Sequence, residues 1–241
     1  MKKLYLFALL SFTLAGLGGC EKATITDLAT ADAFIQSIKN PKDTAQVVFA
    51  VVHSVFSYYL MTAVSVVAPL TAASPDSIIT HLINYGNMGN SFYNNPVYSS
   101  SLPAPGTYTY TVKFKDGQTI TFSNTLLYNI LIPPHITSLT KNGITNSIDI
   151  SWNTVTNAQA YQVKVTKGTV TGASATQVYY AAPFVDTSNP PKANLTIEVP
   201  FATITPYGSG GYTFEVDALL FESSVGTSLQ AIGTSTKVIT L

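Results

Sequence analysis

Between Thr107 and Phe114 every second residue is large and apolar. Tyr108, Tyr110, Val112 and Phe114 alternate with Thr107, Thr109, Thr111 and Lys113, a period of two that places one set on each face of a pleated strand. In a helix the same four residues would scatter around the axis, because successive side chains are turned by about 100°. Asp116-Gly117 follows and predicts a two-residue hairpin turn, with Ile120 and Phe122 carrying the apolar face onto the return strand. Such a hairpin must bury its apolar face against another element of the fold. The same alternation recurs in Ile148, Ile150 and Trp152, in Tyr161, Val163 and Val165, in Leu195, Ile197 and Val199, and in Tyr212, Phe214 and Val216. The chain is therefore expected to be all-β, built from packed sheets.

Cys20 is the only cysteine, so no disulfide can form within the chain and the fold must rest on its apolar cores. The length of 241 residues suits two domains of about 100 residues each after a leader. Pro133-Pro134 marks the boundary, because paired prolines stiffen a junction in extended backbone; a stiff link between two sandwiches predicts a rod. The expected segments are residues 1–19 as a signal peptide, 20–44 as a tether with a short helix, 45–132 as a first sandwich and 133–241 as a second. The helix is expected from Leu28, Ala31, Phe34, Ile35 and Ile38, which fall at helical spacing before Asn40-Pro41. Residues 45–70 leave three readings open: two strands, a buried helix, or a membrane span. No charge falls between Asp43 and Asp76, yet the run contains His53, Ser54, Ser57, Thr62 and Ser65 and is rich in valine, which favours strands.

Two resemblances refine this. Leu102 stands six residues before Tyr108, with Pro103, Pro105 and Gly106 between. That spacing resembles the tyrosine corner of immunoglobulin-like sandwiches, which implies a Tyr hydroxyl bonded back to upstream backbone. From residue 134 onward the order of Trp152, Tyr161, the Leu195–Ile197–Val199 triplet and Tyr212 resembles a fibronectin type III domain. The resemblance implies strands B, C, E and F at those positions and strand G over residues 236–241. Residues 167–192 and 206–210 are longer connections than that family usually has.

At the amino terminus Lys2 and Lys3 precede an apolar stretch, residues 4–15, and a small-residue segment, residues 16–19. This is the tripartite pattern of a secretory signal. Leu17-Gly18-Gly19-Cys20 resembles the lipobox of bacterial lipoproteins. The resemblance implies cleavage before Cys20 and several fatty acyl chains, such as palmitate, on it. It also implies a body outside the cytoplasm, attached to the membrane through Cys20. Glu21 follows the anchor where some bacteria use Asp for inner-membrane retention, so the outer membrane is the expected site.

Without Lys2 and Lys3, ten lysines face twelve acids, a net charge of −2, and there is no arginine. Nucleic-acid binding needs clustered cations and favours arginine, so that class is set aside. His53, His81 and His135 are scattered, and Asp149, Asp186 and Asp217 read as isolated, solvated carboxylates, so no metal or cofactor is expected. No Gly-x-Ser-x-Gly elbow or paired-carboxylate arrangement is present, and the chain is not expected to be an enzyme. Tyr-rich connections are the remaining candidates for function. Phe92, Tyr93 and Tyr98 lie among several Asn in residues 85–101, and Tyr179 and Tyr180 lie in residues 167–192. All five are expected to contact a protein or polysaccharide ligand from loops. The functional expectation is a lipid-anchored, non-catalytic envelope protein for adhesion, ligand binding or assembly. The alternatives are a polysaccharide-binding lipoprotein associated with glycan degradation and a plain spacer.

Overall fold

The structure, a computed structural model, describes residues 28–69, 77–79, 81–84, 89–168, 176–187, 192–222 and 228–241. Cys20 and its leader lie outside them. The first half forms β1 (Thr30–Asn40), β2 (Asp43–Ser57), β3 (Met61–Val67), β4 (Ser77–Ile79), β5 (His81–Asn84), β6 (Asn90–Tyr93), β7 (Gly106–Phe114) and β8 (Thr119–Leu126). The second half forms β9 (Ile136–Asn142), β10 (Ser147–Asn153), β11 (Ala160–Lys167), β12 (Thr176–Phe184), β13 (Asn194–Pro200), β14 (Gly211–Phe221) and β15 (Leu229–Thr240). A single helical turn, Phe201–Ile204, precedes β14.

Each half is a two-sheet sandwich. In the first, β1-β2-β6-β5 faces β4-β3-β7-β8; in the second, β13-β10-β9 faces β12-β11-β14-β15. In immunoglobulin lettering the first is ABED against C′CFG and the second ABE against C′CFG, the all-β sandwich expected from the strand pattern. Both tyrosine corners are present. The Tyr108 hydroxyl donates to the Ala104 carbonyl at 3.1 Å, and that of Tyr212 donates to the Gly208 carbonyl. Trp152, Tyr161, Val163, Tyr212 and Phe214 fill the second core, and Tyr108, Tyr110, Val112 and Phe114 fill the first.

The two sandwiches are joined by more than a proline link. β15 pairs in parallel with β1, Ile35 opposite Ala231 through Ile38 opposite Thr234. One eight-stranded sheet, β12-β11-β14-β15-β1-β2-β6-β5, therefore runs through both halves. The connection over residues 127–135 lies against this seam. Ser37 Oγ donates to the Leu131 carbonyl, and a Cβ at Gly233 would overlap the Ile132 carbonyl, which is why glycine occupies that position. The stiff-linker rod is thus replaced by two sandwiches fused edge to edge.

Two local expectations are corrected, and one left open is resolved. Residues 30–40 are a strand, not a helix. β1 is central in the wide sheet, with Ala33 and Ile35 in the first core and Phe34 packed on the opposite face. A strand covered on both sides has apolar residues in succession, and these mimic helical spacing. The Asp116-Gly117 hairpin closes through three residues instead of two: Phe114 N–H donates to the Gln118 carbonyl, and Gly117 has φ 87°. That is a three-residue loop with glycine in the left-handed region. Residues 45–70 resolve into β2 and β3 over their described part, and no helix among the described residues is long and apolar enough to cross a membrane.

Candidate functional site

Four of the five aromatic candidates lie on strands, Phe92 and Tyr93 on β6 and Tyr179 and Tyr180 on β12, a correction to the loops expected for them; only Tyr98 lies in a connection. Phe92 pairs with Val55 and is buried in the first core, so it is a packing residue and its place as a ligand contact is corrected. Tyr179 pairs with Val165 and packs against the second core; it too points inward, contrary to the expected ligand contact. Tyr93 pairs with Ser54, one position out of step with Phe92, and so takes the other face of the eight-stranded sheet. Tyr180 pairs with Lys164 and takes that same outer face, 47% exposed.

Tyr98 reaches this face by a bulge. The Asn94 side chain replaces one step of the ladder beside β2. Its Oδ1 accepts from His53 N–H at 2.8 Å and its Nδ2 donates to the Val51 carbonyl at 2.9 Å. Pairing resumes where Phe49 and Ser99 exchange backbone bonds. The released residues turn outward, and the Tyr98 hydroxyl donates to Gln36 Oε1 on β1 at 2.7 Å. Burial, then the charges of Glu215 and Asp217, push this phenol up to about 12.

Between Tyr98 and Tyr180 lies a hydrogen-bonded row that crosses the seam. Gln36 Nε2 donates to Thr234 Oγ1 at 3.1 Å, and Thr234 donates to Asp217 Oδ1 at 2.6 Å. Asp217 Oδ2 accepts from Gln162 Nε2 at 2.7 Å and Lys164 Nζ at 2.8 Å. Lys164 also donates to Glu215 Oε1 at 2.8 Å, and Gln162 Oε1 accepts from the Tyr180 hydroxyl at 3.4 Å. Five strands each contribute: β12, β11, β14, β15 and β1. Beside the row, Phe34, Ala160, Leu219 and Ile232 form a small buried apolar cluster on the same face.

The electrostatics hold this arrangement in place. Burial alone would pull the Lys164 ammonium down, but Asp217 and Glu215 outweigh it and hold the group above its usual value. Burial and then Asp217 push the Glu215 carboxyl up, with Lys164 opposing. Asp217 is 1% exposed, a correction to its reading as a solvated carboxylate. Both its oxygens are engaged, and Lys164 is held protonated, so neither is free to act as a base or nucleophile. Strand C pairs with strand F in the fibronectin arrangement, and that pairing sets Lys164 opposite Glu215. The assigned strands therefore carried the signal for this ion pair, although each charge looked isolated along the chain.

Among the described side chains, His53 is the one histidine in a core. Its Nδ1 lies 2.9 Å from the Tyr110 hydroxyl, which bonds onward to the Asp32 carbonyl at 3.4 Å. Burial lowers the His53 pKa to about 4. Among the described residues no three His, Cys, Asp or Glu converge as a metal would require. A groove of about 430 Å³ opens between Phe184, Val185, Asp186, Asn194 and Leu195, where the two sheets of the second sandwich part, away from the polar row.

No protein-family model matches this chain, and no curated protein matches it. Solved structures described as a cytokine receptor complex resemble it in two crystal forms. The first has 12% identity, 78% of this chain and 90% of that chain covered, and a TM-score of 0.28. The second has 11% identity, 86% and 99% covered, and a TM-score of 0.28. A biofilm-associated protein, BSP domain, has 11% identity and a TM-score of 0.25, covering 94% of this chain and 54% of that chain. At these TM-scores the likenesses carry no weight, and the fold rests on the strand order described above.

Proposed function

We propose that this chain is a lipid-anchored, non-catalytic binding protein of the bacterial cell envelope, serving adhesion by holding a hydroxyl-rich saccharide against the outer face of the shared sheet. The observation that carries the reading is the row from Tyr98 to Tyr180. Two aromatic rings, 82 residues apart in sequence, flank a continuous line of amide, hydroxyl and carboxylate groups. Aromatic bodies with polar tips beside side-chain amides suit a ligand that is apolar on its ring faces and hydroxylated at its edges. The bond from Tyr98 to Gln36 fixes one ring in advance, which reduces the ordering cost of binding. The engagement of Asp217 and Lys164 favours binding over turnover. The anchor is supported by Leu17-Gly18-Gly19-Cys20 at the end of the apolar leader, and Glu21 favours the outer membrane.

The test is a panel of bacterial and host glycans probed with the full-length, detergent-solubilised protein and its Tyr98→Ala/Tyr180→Ala variant. Binding by the native chain should fall at least about tenfold in the variant, which corresponds to about 1.4 kcal/mol, with the second sandwich still folded. Equal binding by both would move the site elsewhere, and retention of no glycan by the native chain would refute the saccharide reading.

A further inference from the structure

The end of the first sandwich where the chain enters carries an apolar tip that neither core uses. Thr30 at the start of β1 pairs with Phe56, and Ser57 Oγ donates to the Leu28 carbonyl at 2.5 Å. The next three residues, Tyr58, Tyr59 and Leu60, form the turn between β2 and β3 and are 75%, 53% and 45% exposed. The turn is built, since Tyr59 N–H donates to Ser57 Oγ at 2.9 Å and Lys115 N–H to the Leu60 carbonyl at 2.9 Å. The Tyr58 and Tyr59 rings rest edge-on against Phe56 and Phe114, at 5.0 and 6.5 Å, which leaves their other sides open. Exposed Lys113 near the end of β7 and exposed Lys115 in the β7–β8 turn stand at the same end, beside Asp116.

We infer that Tyr58, Tyr59 and Leu60 seat in the interfacial layer of the bilayer that holds Cys20, so that the protein stands on the membrane by this tip. The inference rests on the lipid anchor proposed above. Seven residues separate Cys20 from Leu28, and eight extended steps span less than about 30 Å. The anchored chain therefore delivers its body to the membrane at the end that bears the tip. Tyrosine suits that depth, with an apolar ring and a hydroxyl that stays wet. The two lysines match the anionic headgroups that attract basic side chains beside a membrane. A lipid chain attaches, and an apolar contact close to it orients, which leaves the outer sheet face free for a ligand.

The experiment uses the full-length chain, made with its leader and reconstituted in vesicles of equimolar phosphatidylethanolamine and phosphatidylglycerol. Mass spectrometry first establishes acylation. With the Cys20 sulfur alkylated, Tyr59→Cys supplies the only free thiol for an environment-sensitive fluorophore. Ile144→Cys is the control, 97% exposed in the β9–β10 turn at the opposite end of the neighbouring sandwich. Nitroxide placed shallow on the lipid acyl chains should quench the probe at position 59 at least about twofold and leave position 144 unchanged, as for a group inserted at the headgroup boundary. Adding Tyr58→Ser and Leu60→Ser should abolish the quenching. Acylated protein with an unquenched probe at position 59 would overturn the tip assignment alone and leave that surface to solvent or a protein partner. A chain that carries no acyl group would overturn the anchor, and the tip assignment with it.

Discussion

Replacing Asp217 by alanine removes the hub of the outer-face network. The carboxylate accepts from Gln162, Lys164 and Thr234 at 2.7, 2.8 and 2.6 Å, and its side chain is 2% exposed. Loss of one partner from a buried ion pair costs about 3–5 kcal/mol, because the remaining charge stays desolvated. Lys164 keeps Glu215 at 2.8 Å and is 30% exposed, so the lower end applies, about 3 kcal/mol. That is a large share of a domain's stability of about 5–15 kcal/mol. Asp217→Asn retains acceptor capacity and nearly the same shape, so it should cost about half as much. Urea unfolding followed by Trp152 fluorescence is the suitable assay. Trp152 is the only tryptophan and lies in the second core, so its emission reports the sandwich that contains Asp217. The midpoint should move to lower urea for both variants, further for alanine, with the slope unchanged. A loss below about 1 kcal/mol for Asp217→Ala, the range of exposed pairs, would refute the reasoning and make the row a solvated decoration.

Trp152→Ala should cost about 3–5 kcal/mol, the range for truncating a buried large aromatic, read by calorimetry as a lower Tm for the second sandwich. Cys20→Ala should abolish fatty-acid labelling and release the protein from membranes, which metabolic labelling and fractionation will check. His53 and Asp32 should act in opposite directions on acidification. Burial holds His53 neutral down to about pH 4 against 6.5 unfolded, so its contribution is lost as pH falls through that window. Burial raises the Asp32 carboxyl from 3.8 to about 6, so its contribution is lost as pH rises through the same window. Asp32→Asn should therefore show a steeper fall in stability between pH 6.5 and 4 than the native chain in denaturant titrations at each pH; a parallel or shallower fall would contradict the pairing.

Much of the fold was legible because period-two alternation is a local signal. Tyr108 marked the first corner, and Trp152, Tyr161 and Tyr212 marked strands B, C and F of the second core. Residues 30–40 misled because β1 is covered on both faces, and alternation disappears when both sides of a strand are apolar. The seam left no local trace: Ile35 and Ala231 are far apart in sequence, and parallel pairing between distant strands has no turn to announce it. The aromatic candidates were half legible. Four of the five sit on strands where loops were expected; a one-residue register step separates Tyr93 from Phe92 and Tyr180 from Tyr179, and only the pairing partners decide which residue of each pair faces out. Asp217 was misread because its partners lie on two other strands, Gln162 and Lys164 on β11 and Thr234 on β15.

The account depends on the two sandwiches sharing one sheet, since only then do Tyr98 and Tyr180 belong to the same face. Native-state hydrogen exchange at residues 35–38 and 231–234 tests this most directly. As the centre of an eight-stranded sheet, their ladder amides should be protected as strongly as those of β11 and β14, exchanging only through unfolding of a whole sandwich. Exchange at the rate of an open edge strand, with the two cores still protected, would mean that the sandwiches come apart at β1 and β15 and that no continuous face exists.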